Sequence, residues 1–492
     1  MKTAARILIV DLNNFARYPT LAIGCLVAPL RAAGFQVEVL SPLANGAPAM
    51  VHEQRETWLE PLKRRLSFST HPLMQRLHEP LRAIHARHHF RAHAPTLSQL
   101  QARLARDAPD IILLSAYLEH LPTVAWIGQQ ARAQRIPVLL GGPAFTQPQT
   151  LQAWQQLEGI TAIFAGEADF VIVELVRTLL QGGDISVWPG ISVAGTDSRP
   201  ALPPLLALDR LPVPDFSDFP WERYPHRIIP VMTGRGCSWN VCTFCSDVIT
   251  GNGRSFRSRP LARVLAELRQ QAERYQGRDF IFLDLKLNSN LTIWRGLIDN
   301  MQQTVAGARW IATVHVDGQG DNGLDAKTLQ AARASGLTRI SFGLETGSQA
   351  LVRRMGKGTR VERNARFIQD AYQAGLSVRC SMMLGYPGET VADLVATRDF
   401  LEAHQLQLDR IRPARFKAIP GTRFEKLYRH RPGRFAGFEL LGWDYRLGRA
   451  DYRNHPASDP AYRRIKRDIL ALIHAINSRP LRDEARQFDG LM

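Results

Sequence analysis

The sequence is poor in cysteine and in long hydrophobic runs. Its 492 residues include only five cysteines, which are too few and too unevenly spread for a disulfide framework. The longest apolar run, about Leu21 to Leu30, is well short of the ~18 residues that a membrane span needs. The N-terminus lacks the pattern of a secretory signal, because its apolar run before Asp11 is only four residues long, Ile7–Val10. We therefore expect a cytoplasmic protein without a transmembrane segment.

The chain does have a large apolar fraction and an excess of positive charge. Apolar residues make up 45% of the sequence, enough for the cores of two or three domains, and this mixture excludes a disordered chain, a collagen or a coiled coil. The 62 basic and 45 acidic residues give a net charge of +17. Because the excess is spread over distant segments, we favour a solvated basic surface and expect no nucleic-acid partner. An acidic or amphipathic partner is the alternative.

The first 190 residues alternate between short apolar strands and amphipathic helices. Strands are predicted at residues 5–11, 36–40, 110–115, 137–140 and 160–165. This alternation predicts a parallel, doubly wound sheet, whose ligands bind beyond the carboxyl ends of the strands. The residues expected at those ends include Ser115, Gly141, Gly142 and Glu167.

Two segments interrupt the strand and helix patterns. A basic, helical insertion is predicted at about 50–105, and it holds seven of the fourteen histidines. We interpret it as a solvated helical face rather than a metal site, because arginines surround its central histidines. Residues 191–226 are predicted to be an extended linker, because residues 198–220 within them are proline-rich.

A second alternation follows the linker. Strands are predicted at residues 227–233, 279–285, 310–316, 339–345, 377–384 and 410–417. Six βα units without a seventh and an eighth predict a partial (βα)6 barrel over 227–424 that is open on one side. The predicted fold is therefore α/β, with a doubly wound domain over 1–190, the barrel, and a short C-terminal extension over 425–492 without assigned chemistry.

Three cysteines stand together directly after the first predicted barrel strand. Cys237, Cys242 and Cys245 lie within nine residues and follow Gly234-Arg235-Gly236, which places them at the catalytic end of the barrel. Three thiolates on one loop can bind three irons of a [4Fe–4S] cluster and leave the fourth iron open. A zinc site would need a fourth ligand close by, and it stays the alternative, as does a structural role for the thiols.

With this loop, the sequence resembles the radical S-adenosylmethionine (SAM) superfamily over residues 228–422. The family binds its cluster through a cysteine triad after the first barrel strand, with an aromatic residue before the last cysteine; here that residue is Phe244. Four residues separate Cys237 from Cys242, where the family usually has three, so the loop is one residue longer.

The resemblance implies further contacts with SAM. Glu345, in Gly-Leu-Glu-Thr-Gly after the fourth strand, matches a carboxylate that binds the ribose hydroxyls. Gly385 and Gly388 match glycines that let the backbone approach the nucleoside. Asp284 matches the first of an acidic pair found in cobalamin-dependent members, whereas Leu285 replaces the second. A loop or capping role is the alternative for Asp284.

The N-terminal domain is similar to the cobalamin-binding domain that precedes the barrel in one branch of this superfamily. The similarity covers about residues 4–185, and it implies cobalamin contacts at Ser115, Gly141, Gly142 and Glu167. No Asp-x-His-x-x-Gly motif is present, so a lower histidine ligand to cobalt is not expected. Another nucleotide is the alternative, although the Gly-x-Gly-x-x-Gly fingerprint is missing.

The resemblance implies an enzyme that uses a [4Fe–4S] cluster, SAM and cobalamin to methylate an unactivated carbon. The substrate is a small molecule, a lipid or a peptide, and an electron donor such as a flavodoxin or ferredoxin is expected. A radical rearrangement, cyclisation or oxidation with the same cofactors is the first alternative. A zinc- or iron–sulfur-containing binding protein is the second. Cys25 and Cys380 lie in apolar patterns and are predicted to pack in the core.

Overall fold

The computed structural model describes residues 5–15, 17–48, 53–69, 80, 84, 87–88, 90–197, 199–205, 207–247 and 256–491. It confirms the predicted fold class, because it contains a doubly wound sheet followed by an open barrel of parallel strands. The insertion predicted at about 50–105 lies partly outside the described residues. Within them it contributes helices α2 (Glu60–Ser67) and α3 (Ala94–Arg106).

The N-terminal sheet has the strand order β2-β1-β3-β4-β5-β6. The strands are β1 (Arg6–Asp11), β2 (Gln36–Leu40), β3 (Ile111–Ser115), β4 (Val138–Gly141), β5 (Ala162–Phe164) and the antiparallel edge strand β6 (Ile191–Ser192). The helices on its faces are α1 (Leu21–Ala32), α3, α4 (Leu121–Ala133), α5 (Pro148–Trp154) and α6 (Ile172–Leu180). Ile7 and Ile9 join one buried cluster and Leu8 and Val10 another, so β1 is covered on both faces.

The second sheet has the order β14-β13-β12-β11-β10-β7, with all neighbours parallel. Its strands are β7 (Ile228–Val231), β10 (Asp279–Phe282), β11 (Arg309–Val314), β12 (Leu337–Glu345), β13 (Ser377–Leu384) and β14 (Arg410–Arg415). Its helices are α7 (Leu261–Tyr275), α8 (Leu291–Thr304), α9 (Ala326–Ala334), α10 (Gln349–Met355), α11 (Val361–Gln373) and α12 (Val391–His404). The short strands β8 (Gly234–Arg235) and β9 (Arg257–Ser258) pair beside it.

The C-terminal extension covers the edge of the barrel and reaches the N-terminal domain. It consists of α13 (Arg423–His430), β15 (Phe438–Asp444), β16 (Arg449–Asn454) and α14 (Pro460–Asn477). The side chain of Asn477 pairs with the backbone N–H and C=O of Ile411 at 2.7 and 2.8 Å, which satisfies part of the β14 edge. At the β15–β16 turn, the indole N–H of Trp154 donates to the Arg446 carbonyl at 2.9 Å.

The linker ties the two sheets together through Asp215. Its carboxylate accepts from Arg31 of α1 at 3.0 Å and from Arg274 of α7 at 2.9 Å. Burial on its own raises the pKa of Asp215, but hydrogen bonds from Ser217 and Arg31 outweigh it and lower that pKa to about 2. The carboxylate therefore favours the folded, docked state near neutral pH.

Among the described residues, we find no helix with the length and hydropathy of a membrane span.

We expect Asp215→Asn to lower the free energy of unfolding by about 1–3 kcal/mol at pH 7, because two guanidinium groups lose their carboxylate. A lowered pKa gives stability that is present above the unfolded pKa of about 3.9 and is lost as the pH falls towards 2. The difference from the wild type should therefore shrink between pH 4 and pH 2 in urea unfolding curves. The exposed Asp197→Asn is the control, and an equal effect of both variants would contradict the role of Asp215.

Candidate functional site

The cysteine loop leaves β7 at the carboxyl end of the barrel sheet and is anchored at two points. The indole N–H of Trp239 donates to the Gly356 carbonyl at 2.8 Å, and its ring stacks on His315 with centroids 6.2 Å apart. The backbone N–H of Thr243 donates to the Met355 carbonyl at 2.9 Å. Both anchors lie at the C-terminal end of α10, on Met355 and Gly356, so the end of this helix helps to set the position of the cysteines.

The three cysteines are half-buried, and the partly buried Lys357 lies near Cys242 and Cys245. Burial raises the pKa of Cys242 to about 11, against the attraction of the Lys357 ammonium group. Burial also raises the pKa of Cys245, whose thiol lies 3.6 Å from an Asp247 carboxylate oxygen. Thiolates are the metal-binding form, so a positive charge next to them favours binding of an iron–sulfur cluster.

The donor set fits a cluster better than it fits one ion. Over the described ranges, which leave out 248–255, no three His, Cys, Asp or Glu side chains are grouped so that one metal ion could bind them all. A [4Fe–4S] cluster does not need such convergence, because each thiolate binds a different iron. Cys237, Cys242 and Cys245 are the residues that would hold it, and Phe244 lies between the last two.

Glu345 stands at the end of β12 in an unusual backbone conformation. Its φ of +62° lies in the left-handed region, which is uncommon for a residue with a side chain. Its carboxylate accepts from the Lys357 ammonium group at 2.7 Å, and that ammonium lies 5.9 Å from the Phe244 ring centre. Burial works against the charged amine, but Glu345 and Cys242 outweigh it and raise the pKa of Lys357. Glu345, Lys357 and the cysteine loop therefore form one charged cluster.

Lys357 is a residue that the sequence analysis missed. It stands between Gly356 and Gly358, both of which have positive φ. A Cβ at Gly358 would lie 2.1 Å from the Trp239 ring, so this position requires glycine. A lysine between two glycines behind a short helix was the available signal.

Asp284 supports the base of the cysteine loop. Its carboxylate accepts from the backbone N–H and hydroxyl of Thr233 and from the N–H of Gly234, at 2.7 to 3.2 Å. Burial raises the pKa of Asp284 to about 6, although these hydrogen bonds lower it. The contacts favour the loop role over a ligand role. Leu285, next to it, points an exposed side chain into the cavity described below.

Gly385 and Gly388 follow β13 with φ values of +80° and +83°. A Cβ at either position would meet no protein atom within 4 Å, so the backbone here is open to a ligand. The turn is held from behind by Glu389, whose carboxylate accepts from the Gly385 N–H at 2.7 Å and from the Tyr462 hydroxyl. Burial raises the pKa of Glu389 to about 7.

A cavity of about 760 Å³ lies between the carboxyl ends of the two sheets. From the N-terminal sheet it is lined by the predicted contacts Ser115, Gly141, Gly142 and Glu167, together with Cys25. From the barrel side it is lined by Gly236 and Asp247 of the cysteine loop and by Leu285. The structure therefore brings the predicted contacts of the N-terminal sheet to the same space as the cysteine loop. Cys380, by contrast, is fully buried in the barrel core.

Gly142 allows the ends of β3 and β4 to come close together. Its φ is +149°, and a Cβ there would lie 2.2 Å from the Ala116 carbonyl oxygen. Asn13, which stands two residues after Asp11 where an Asp-x-His-x-x-Gly motif would have its histidine, also lines the cavity. Its backbone N–H donates to the buried carboxylate of Asp11 at 2.9 Å.

Two ion pairs join the N-terminal domain to the base of the cysteine loop. Both Asp169 oxygens accept from the Arg235 guanidinium at 2.8 Å. The Glu167 carboxylate accepts from Arg257 at 2.8 and 2.9 Å and from the Leu205 N–H at 3.0 Å. Arg235 and Arg257 are partners in the β8–β9 pair. We call these two ion pairs the interdomain clamp. Because the Glu167 oxygens are engaged in it, the clamp competes with the cofactor contact predicted for Glu167.

Comparison with known proteins agrees with this geometry. Residues 231–401 match the model of the Radical SAM superfamily. The chain therefore contains a radical SAM domain, and the resemblance predicted from the cysteine loop is confirmed.

Relatives and solved structures extend the similarity beyond the barrel. The chain is 28% identical over 341 residues to the "uncharacterized methyltransferase PH0819" of Pyrococcus horikoshii, covering 67% of this chain and 71% of that protein. It is 28% identical over 315 residues to the anaerobic magnesium-protoporphyrin IX monomethyl ester cyclase of Rubrivivax gelatinosus, covering 61% of this chain and 55% of that protein.

Among solved structures, the fold is similar to that of the radical SAM methyltransferase TsrM from Kitasatospora setae, solved with cobalamin and a [4Fe–4S] cluster. The TM-score is 0.67 at 17% identity, covering 96% of this chain and 89% of that one. The cobalamin-dependent radical enzyme OxsB also has a TM-score of 0.67 at 16% identity, covering 91% of this chain and 64% of that one.

We expect Asp284→Asn to weaken cluster binding, because the amide cannot accept from all the donors that converge on the carboxylate. Cluster occupancy should fall at least ~2-fold, and iron release to a chelator should be ~10-fold faster, as the loss of about 1–3 kcal/mol implies. The measurement is iron per chain and its release rate without oxygen. Asp279→Asn is the control, because Asp279 begins the same strand and pairs with Arg309 at the opposite end. Equal iron loss in both variants would contradict the loop role.

Proposed function

We propose that this protein is a cobalamin-dependent radical SAM enzyme that methylates an unactivated carbon of its substrate. One observation carries the proposal: the cysteine loop and the carboxyl end of the N-terminal sheet line the same cavity. Methyl transfer by two cofactors requires both to face one substrate, and this cavity is the place where they can do so. The methyltransferase relative and the whole-chain fold similarity support it.

The residues divide into groups with separate tasks. Cys237, Cys242 and Cys245 hold the cluster, and Lys357 balances the negative charge of their thiolates. Glu345 positions the SAM ribose at the end of β12, and the open backbone at Gly385 approaches the nucleoside. When bound, the cluster would supply the electron for SAM cleavage, and cobalamin would supply the methyl group, which a second SAM would replace with release of S-adenosylhomocysteine.

The N-terminal sheet and the loops around it hold cobalamin and exclude water. Ser115, Gly141 and Gly142 line the cavity at the carboxyl ends of β3 and β4, where we propose that their backbone contacts cobalamin. Glu167 contributes through the interdomain clamp, which keeps the sheet and the cysteine loop at a constant separation. Apolar side chains such as Leu283 and Leu285 line the barrel side, where a substrate carbon would be shielded from solvent.

The partners follow from this chemistry. An electron donor such as a flavodoxin or ferredoxin reduces the cluster, and the substrate is a small molecule, a lipid or a peptide. The cytoplasm suits these requirements, because thiols and low-potential donors stay reduced there. All five cysteines are free in the structure. No nucleic acid is part of the proposed reaction.

The products of SAM test the proposal. Anaerobically purified protein with about four irons and one cobalamin per chain should release 5′-deoxyadenosine when reduced with dithionite. With its substrate it should also release S-adenosylhomocysteine, which a non-methylating radical enzyme would not do. Cys242→Ser should lose the cluster and lower 5′-deoxyadenosine formation at least ~100-fold. Cys380→Ala is the control, because Cys380 packs in the barrel core. Undiminished SAM cleavage by Cys242→Ser would contradict the site.

Cobalamin binding can be tested separately from the cluster. We expect Gly142→Ala to lower bound cobalamin at least ~10-fold, because the added Cβ must push apart the strand ends that line the cavity. Iron content should stay unchanged, and absorbance spectra after gel filtration report both cofactors. Gly182→Ala is a matched control, since Gly182 also has positive φ but its Cβ would meet nothing within 4 Å. Full cobalamin occupancy in Gly142→Ala would contradict the assignment of this sheet edge.

A further inference from the structure

Helix α2 presents an exposed apolar stripe that the proposed reaction does not use. Leu62 and Leu66 lie one helical turn apart on α2, and Trp58 and Leu59 stand in the turn directly before it, at positions that continue the same spacing. Trp58 is 81% exposed and Leu62 is 58% exposed, and the other two are exposed as well. We call these four residues the leucine face. Scattered exposed leucines are ordinary, but an exposed tryptophan within a contiguous stripe indicates a binding surface.

The opposite side of this segment is fastened to the body of the protein. The Glu56 carboxylate accepts from Arg64 at 3.0 Å and from the side-chain amide of Asn477 at 2.6 Å. The Lys466 ammonium group donates to the Phe68 carbonyl at 2.8 Å. Asn477 and Lys466 belong to α14, so contacts before and after α2 set its orientation and leave the leucine face pointing outwards.

Basic side chains flank the leucine face on both sides. Lys63 and Arg65 are exposed, and helical geometry places them on either edge of the stripe. The acidic groups of this segment are each paired with a basic group: Glu60 accepts from Lys63 at 2.8 Å, Glu56 pairs with Arg64, and Glu53 pairs with Arg379 of the barrel at 2.7 Å. Across residues 51–106 the sequence has ten Lys or Arg and four Asp or Glu. In the part of this segment that the structure describes, the stripe is therefore apolar at its centre, with an exposed basic side chain at each edge and Glu60 paired with one of them.

We propose that the leucine face docks this protein onto the surface of an anionic lipid bilayer. Tryptophan and leucine insert at the boundary between headgroups and acyl chains, and flanking cations bind the anionic headgroups. The long apolar stems of Lys63 and Arg65 let their charges reach the headgroups while the stripe is immersed. Cations on both edges complement a uniformly negative surface. This inference does not depend on the proposed reaction.

The test is flotation of the full chain with vesicles of stated composition. Vesicles of phosphatidylcholine with 30% phosphatidylglycerol should bind the protein at least tenfold better than vesicles of phosphatidylcholine alone. Raising the salt from 50 to 300 mM should weaken that binding, because the headgroup attraction is screened. Trp58→Ser combined with Leu62→Ser should lower the bound fraction at least fivefold, and so should Lys63→Glu combined with Arg65→Glu.

Two variants keep the result specific to this surface. Leu406→Ser is the matched control, because Leu406 is 73% exposed on another part of the surface. Trp58→Phe keeps an aromatic ring and should still bind, but it should lose the quenching of tryptophan fluorescence by brominated lipid. That quenching reports insertion without reference to enzyme activity.

Three outcomes would overturn the inference. One is equal or absent binding to both kinds of vesicle. Another is an equal loss of binding in Leu406→Ser and in the double serine variant. The third is self-association through the leucine face, seen in analytical ultracentrifugation as a dimer that the double serine variant abolishes, without lipid binding. None of these results bears on SAM cleavage, so the proposed function stands or falls separately.

Discussion

The site depends on the interdomain clamp. Asp169 and Glu167 lie just beyond β5 in the N-terminal sheet, and Arg235 and Arg257 lie at the base of the cysteine loop. Arg235 is two residues from Cys237, so docking of the N-terminal domain and placement of the first cysteine are the same event. A half-buried pair of this kind contributes less net stability than its geometry suggests, because desolvation offsets the attraction. Its larger effect is to fix the distance across the cavity.

Charge in the cysteine loop is arranged around one buried amine. The Lys357 ammonium group donates to the Glu345 carboxylate at 2.7 Å, and Glu345, Cys242 and Cys245 together raise the pKa of Lys357 although desolvation lowers it. The same positive charge, together with that of Lys286, adds to burial in lowering the pKa of His315 to about 3. The neutral imidazole can then stack on Trp239 without adding charge to the loop. A buried cation that neutralises thiolates stabilises a bound cluster, which explains its place beside the cysteines.

The parts that could be predicted from the sequence are those with a local signal. Strand and helix alternation predicted both sheets, since a buried parallel strand is a short apolar run wherever it occurs. The cysteine spacing predicted the loop. Glycines in the sequence marked the turns at Gly142 and Gly385, and both adopt positive φ in the structure. The interdomain clamp had no such signal, because its partners are 66 and 90 residues apart and the pairing exists only after the domains dock. Asp284 is the opposite case, because its motif suggests a contact with a ligand, whereas its carboxylate contacts the backbone and hydroxyl of Thr233 and the backbone of Gly234.

The extra residue between Cys237 and Cys242 has a physical solution in the structure. Asn240 adopts a φ of +37°, and asparagine tolerates the left-handed region better than most residues with side chains. Before Asn240, the Trp239 indole donates a hydrogen bond to the Gly356 carbonyl. After it, the Thr243 N–H donates one to the Met355 carbonyl. The added length therefore lies between two anchors that are neighbouring residues at the C-terminal end of α10. Lys357 comes directly after these two anchors in the chain. A loop held in this way can therefore be one residue longer while its cysteines stay near Lys357.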